Sequence, residues 1–137
     1  MEKSVVAREV AEAEFERFGE MMELDFDTNA MDDEDRRGFE QHRRRLVAAI
    51  MSGALTIDEK GQPEFTPRRS GEWEGVITFY EPDGAAYLAM DRQKKNQDMH
   101  KFYAVMAAMT KQNAGVLAKL KGSDAKLCQA VVALFLA

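Results

Sequence analysis

The sequence predicts an α+β fold, mainly helical, with a small antiparallel sheet of about three strands in the middle of the chain. Apolar residues recur at helical spacing before residue 53 and after residue 83, and between those limits they alternate with polar ones around Gly and Pro. The balance of 45% hydrophobic and 31% charged residues over 137 positions is sufficient for a buried core and differs from the signature of disorder. A single domain spanning residues 1–137 is expected, built from an acidic helical N-terminal region (residues 1–53), a hairpin and strand (residues 54–82) and C-terminal helices (residues 83–137).

The first helix is read from Val5 to about Met22, where Val6, Val10, Phe15, Phe18, Met21 and Met22 recur among many glutamates. Leu24 to Met31 loses that period and holds Asp25, Asp27, Thr28 and Asn29, which favour turns. Asp32 or Asp33 is placed to cap a long second helix that carries Phe39, Leu46 and Ile50 and stops at Gly53. In ALTIDEKGQPEFT, Leu55 and Ile57 alternate with polar residues, and Lys60-Gly61-Gln62-Pro63 supplies the turn of a hairpin whose second arm is Glu64-Phe65-Thr66. Pro67 stops that arm, because it cannot donate to a ladder, and Arg68 to Glu72 reads as an exposed connection. Trp73, Ile77 and Phe79 then share the odd positions of a third strand.

Pro82 ends that strand, and Asp83 caps a helix from Ala85 to Lys95 that is broken near Asn96 or Asp98. The next helix places Met99, Phe102, Met106 and Met109 on one face with Tyr103 beside them. After Leu117, Leu120 and Gly122, Ser123 or Asp124 caps a last helix with Leu127, Val131, Leu134 and Phe135 facing inward.

Charge is unevenly spread. Residues 1–40 carry 14 acidic and 5 basic side chains, a net of −9, and residues 41–137 carry 10 acidic and 14 basic, a net of +4, for a total of −5. An acidic total disfavours nucleic acid unless basic residues gather on one surface, as Arg43-Arg44-Arg45, Arg68-Arg69 and Lys94-Lys95 would have to do. The plainer reading of these runs is solvated helix faces and loop charges. The lone Cys128 has no internal disulfide partner, the first residues lack the apolar run of a signal peptide, and no stretch is long enough to span a bilayer. A cytoplasmic protein is expected, with no membrane partner.

The residues that carry chemistry elsewhere are scattered here. Asp25-x-Asp27-x-Asn29 opens like a calcium loop, but Ala30 stands where the sharp turn wants glycine and Arg36 where a bidentate glutamate should close the shell. His42, His100 and Cys128 do not make a zinc set, and neither histidine has a histidine four residues away. Cys128 falls on an apolar helix, as a small hydrophobe does, and nothing singles out a pair among 24 carboxylates. Glycine-rich phosphate loops are absent. The expectation is a non-enzymatic protein with no catalytic residues, metal or cofactor.

Methionine stands out, with four of nine between Met90 and Met109. Met-rich surfaces repack around varied apolar partners, so Met99, Phe102, Tyr103, Met106 and Met109 are the candidate partner-binding residues; at helical spacing the same side chains also read as core. The run Ala130 to Ala137 is apolar on nearly every face, and its own domain, a second copy or a partner must cover it.

Ile77-Thr78-Phe79-Tyr80-Glu81-Pro82, leading into Tyr87-Leu88-Ala89-Met90-Asp91, a helix, Leu117 to Leu120 and the closing Ala130 to Leu136, resembles the tail assembly chaperones of long-tailed phages and prophages. The resemblance spans about residues 74–137 and leaves the acidic N-terminal region unaccounted for. It implies a non-enzymatic protein in the cytoplasm of a bacterial host that binds the long helical tape-measure protein, keeps it soluble and leaves as tail-tube subunits assemble. Such chaperones are often made in two lengths by frameshifting. The alternatives are a structural tail or baseplate component, a small homo-oligomeric module, or a nucleic-acid-binding regulator using Arg43 to Arg45 and Arg68-Arg69.

Overall fold

The computed structural model describes residues 6–71, 73–91 and 98–137. Val5, Glu72, Lys94, Lys95 and Asn96, which figure in the sequence reading, lie outside the described residues. Helices α1 (Arg8–Met21) and α2 (Asp33–Ser52) precede a three-stranded antiparallel sheet, β1 (Leu55–Ile57), β2 (Pro63–Phe65) and β3 (Ile77–Thr78). Helices α3 (Gly84–Asp91), α4 (Asp98–Thr110), α5 (Ala114–Leu117) and α6 (Gly122–Leu136) follow. The fold is mixed α+β, mostly helical, as the periodicity predicts. Among the described residues no helix is long and apolar enough to cross a membrane.

α1 buries Ala11, Phe15, Phe18 and Met22, a stripe at spacings of four, three and four. The sequence pattern places Val10 and Met21 on that face too, but they are 54% and 44% exposed, because Ala11 rather than Val10 falls on the rotation that meets α2. The stripe joins Phe26 and Phe39 in an aromatic cluster: Phe15 stacks on Phe26 at 4.8 Å, Phe26 lies 5.1 Å from Phe39, and Phe18 meets Phe135 of α6 edge-on at 5.4 Å. Gly19 is required here, because a methyl group in its place would overlap the Phe26 ring.

The loop before α2 holds a 3-10 turn, Thr28–Ala30. Its carboxylates serve the backbone: Asp25 Oδ1 accepts from the Asp27 amide and Asp27 Oδ1 from the Asn29 amide, each at 3.0 Å. Arg36, at the position a calcium ligand would take, donates to the Met31 carbonyl and to Asp33. Asp32 caps α2 through the Asp35 amide at 2.8 Å, and Gly53 ends it in the left-handed conformation at φ 85°.

β1 and β2 form the expected hairpin, paired Leu55 with Phe65 and Ile57 with Pro63, so Pro63 opens the second arm instead of belonging to the turn. Asp58 Oδ1 accepts the Lys60 and Gln62 amides at 2.8 Å, and Gly61 turns the chain at φ +83°. Arg17 of α1 donates to the Ile57 and Asp58 carbonyls, tying helix to hairpin, and its ion pair with Glu14 holds that carboxyl below its usual value. The third strand is shorter than its alternation predicts. Ile77 and Phe79 are buried, but Gly75 at φ +88° interrupts the run and leaves half-buried Trp73 outside the sheet.

Asp83 caps α3 through the Ala86 amide at 3.1 Å. Lys111, at φ +57°, ends α4, and Asn113 caps the short α5, a helix that the sequence pattern does not separate from its surroundings. α6 packs on α2 and α4 and buries Leu127, Cys128, Val131, Val132, Leu134 and Phe135. Residues from Ala11 to Phe135 form one core cluster, so the apolar last helix is covered by its own chain.

Candidate functional site

The candidate partner-binding residues are divided between core and surface. Met106 and Met109 are 0% and 1% exposed, enclosed where α4 turns its C-terminal half toward the core, and Tyr80 donates its amide to the Met109 carbonyl there. Phe102 and Tyr103 are half-buried against that core, with the Tyr103 hydroxyl accepting from Gln129 of α6 at 3.1 Å. Met99 is 58% exposed. The stripe therefore does not form one open face: helical phase alone spaces these side chains, and the elements packed on α4, namely α3, α5 and α6, decide which of them are covered.

What α4 exposes at its N-terminal end, α3 extends. α3 packs chiefly on α4 and buries only Ala86, although its sequence GAAYLAMD is largely apolar. Tyr87 and Leu88 are exposed on it, so the α3–α4 pair presents large apolar side chains to solvent at three positions with Met99. Isolated exposed apolar residues are ordinary; of the seven large apolar side chains exposed among the described residues, three fall on this helical pair.

A second surface lies on the other side of α6. Asp124, which sequence reads as a helix cap, is buried in the first turn of α6 and serves another segment: the helix is capped from Lys121 without a side-chain hydrogen bond. Its Oδ1 accepts the Arg68 amide at 3.1 Å, and its Oδ2 accepts the Arg69 and Ser70 amides at 2.7 and 2.9 Å and the Ser70 hydroxyl at 3.0 Å. The Ser70 Oγ in turn accepts from the Lys121 amide at 2.9 Å. Residues 68–70, expected as an exposed connection, are thus pinned to α6 by a buried carboxylate, while the Arg68 and Arg69 side chains remain exposed.

The pinned loop forms one wall of a groove of about 650 Å³ between α2 and α6. Arg44 and Arg45 project from α2, Arg68 and Arg69 from the loop and Lys126 from α6, over a floor that includes Ala48, Ala49, Phe65, Leu127 and Ala130. Half-buried His42 also lines it; burial, reinforced by the charge of Arg45, holds that imidazole below its ordinary value. Sequence reasoning supplies the arginine runs but not their meeting, because the loop that carries Arg68 and Arg69 is fixed by Asp124, more than 50 residues away.

Among the described residues, Cys128, His42 and His100 lie on three different helices. The Cys128 thiol is pushed up to about 12, by burial first and by the Asp124 carboxylate second, and is inert as a nucleophile near neutrality. His100 lies exposed on α4, on a different helix from His42. Among the described residues, no three His, Cys, Asp or Glu side chains are grouped to hold a metal ion. No family model, curated protein or solved structure matches this chain.

Proposed function

We propose that this chain is a non-enzymatic tail assembly chaperone of a phage or prophage, which binds the tape-measure protein during tail morphogenesis. The observation that carries the reading is the exposure of Tyr87, Leu88 and Met99 on the α3–α4 pair, within the segment whose residue order resembles that family. A tape-measure chain exposes long apolar helical stripes, and a helical pair with uncovered aromatic, leucine and methionine side chains offers them a complementary surface. The surface is built on a covered core, so binding and release need not unfold the domain.

The test is co-expression with the long helical protein that this reading expects to be encoded nearby. The wild-type chain is expected to co-purify with it and to raise its soluble fraction. A Leu88→Asp/Met99→Asp variant, altered only at exposed positions, is expected to keep its circular dichroism spectrum and lose the partner. A stable self-assembled oligomer with no association would favour a structural tail component instead.

A further inference from the structure

The groove between α2 and α6 differs in chemistry from the α3–α4 face. Among the described residues the ion pairs are Arg17–Glu14, Arg36–Asp33 and Arg43–Glu12, so none involves Arg44, Arg45, Arg68, Arg69 or Lys126. Five cations line one opening without a carboxylate paired to them among the described residues. The one carboxylate among the described lining residues, Asp124, is buried and has both oxygens engaged by the loop amides. Its charge is committed to fixing the wall that carries Arg68 and Arg69, which keeps like charges close together at a cost that an incoming anion would relieve.

We propose that this groove is a docking site for an acidic amphipathic helix of a partner protein. The floor decides between anionic ligands. Ala48, Ala49 and Ala130 are small and let a helix backbone come close, and Leu127 adds an apolar side chain to the same lining. A helix about 10 Å across, laid along such a floor, would set leucine-like side chains on the alanines and turn glutamates toward the guanidinium groups on both walls. Nucleic acid fits less well. Phe65 is only 3% exposed and offers no stacking face, the other ring in the lining, His42, is half-buried, and the chain as a whole carries −5. The proposal uses no residue of α3 or α4 and stands or falls independently of the chaperone reading.

The experiment is fluorescence anisotropy on the full chain with a labelled synthetic helix of about five turns, leucines at helical spacing and glutamates elsewhere. Its controls are a peptide of the same composition with permuted order and a labelled DNA duplex of about 20 base pairs. The ordered peptide is expected to bind, more weakly at about 200 mM salt than at about 50 mM, and the permuted one about tenfold more weakly. Arg44→Glu/Arg69→Glu is expected to weaken binding at least about tenfold. Ala48→Trp, which fills the floor at unchanged charge, is expected to weaken it about fivefold; urea midpoints near wild type establish that both variants fold.

Equal binding of both peptides, with no effect of Ala48→Trp, would overturn the proposal in favour of undirected charge attraction. Tighter binding of the duplex than of the peptide would assign the groove to nucleic acid. A salt-sensitive dimer that Arg44→Glu/Arg69→Glu dissolves would place a second copy of the chain there. Absence of binding by any probe would overturn it outright.

Discussion

The α1–α2 region and helix α3 invert the relation between composition and burial. α1 and α2 are crowded with charge, yet each buries a face, Phe15 and Phe18 on one and Phe39, Leu46, Val47 and Ile50 on the other. α3 is far more apolar in sequence and buries only Ala86. Burial follows the presence of a complementary face, not the hydropathy of the helix itself. Apolar side chains left without such a face remain available, and that availability is what a binding protein requires.

The comparison breaks most visibly at the aromatic cluster. Phe18→Ala, at a side chain in contact with α6 through Phe135, is expected to cost about 3–5 kcal/mol in urea unfolding. A small cost would mean that this cluster does not anchor α1 to α6. Asp124→Ala removes four acceptor interactions from the loop that carries Arg68 and Arg69. It is expected to cost about 3 kcal/mol and to speed hydrogen exchange at the Arg69 and Ser70 amides. Gly19→Ala forces the Phe26 ring to move and is expected to cost about 1–3 kcal/mol, read from the same urea transitions.

On the other side of the comparison, Leu88→Ser is expected to change stability by less than about 0.5 kcal/mol, since the side chain is 58% exposed, while weakening co-purification of the partner. A large loss of stability there would mean that α3 is a core element. The smallest effect concerns pH. His42 has a folded value below its ordinary 6.5, so the unfolded chain takes up its proton first and stability declines as pH falls through about 6.5 toward the folded value. His42→Gln should flatten that region of a melting-temperature profile, and an acidic peptide in the groove should raise the imidazole value seen by NMR.

Much of the fold is legible because the signals are local. Asp32, Gly53 and Asp83 act within a turn of the positions they end or begin, and Asp58 and Gly61 shape a hairpin from five consecutive residues. The third strand reads too long in sequence because alternation persists across Gly75, whose positive φ breaks the ladder. Of the partner-facing stripe, Met99 is exposed while Met106 and Met109 are core, a division that a helical period cannot contain.

By itself, then, the sequence determined that the chain is α+β and where α2 and the first hairpin turn lie, because caps, turns and periodicity are set by neighbours a few residues apart. Only the tertiary structure decided which apolar side chains are covered and that Arg44, Arg45, Arg68 and Arg69 line one groove. Those outcomes depend on contacts such as Asp124 with the Arg68 amide, 56 residues apart. Such a contact forms when packing of whole helices brings two segments together, and neither segment carries the other's position in its own residues.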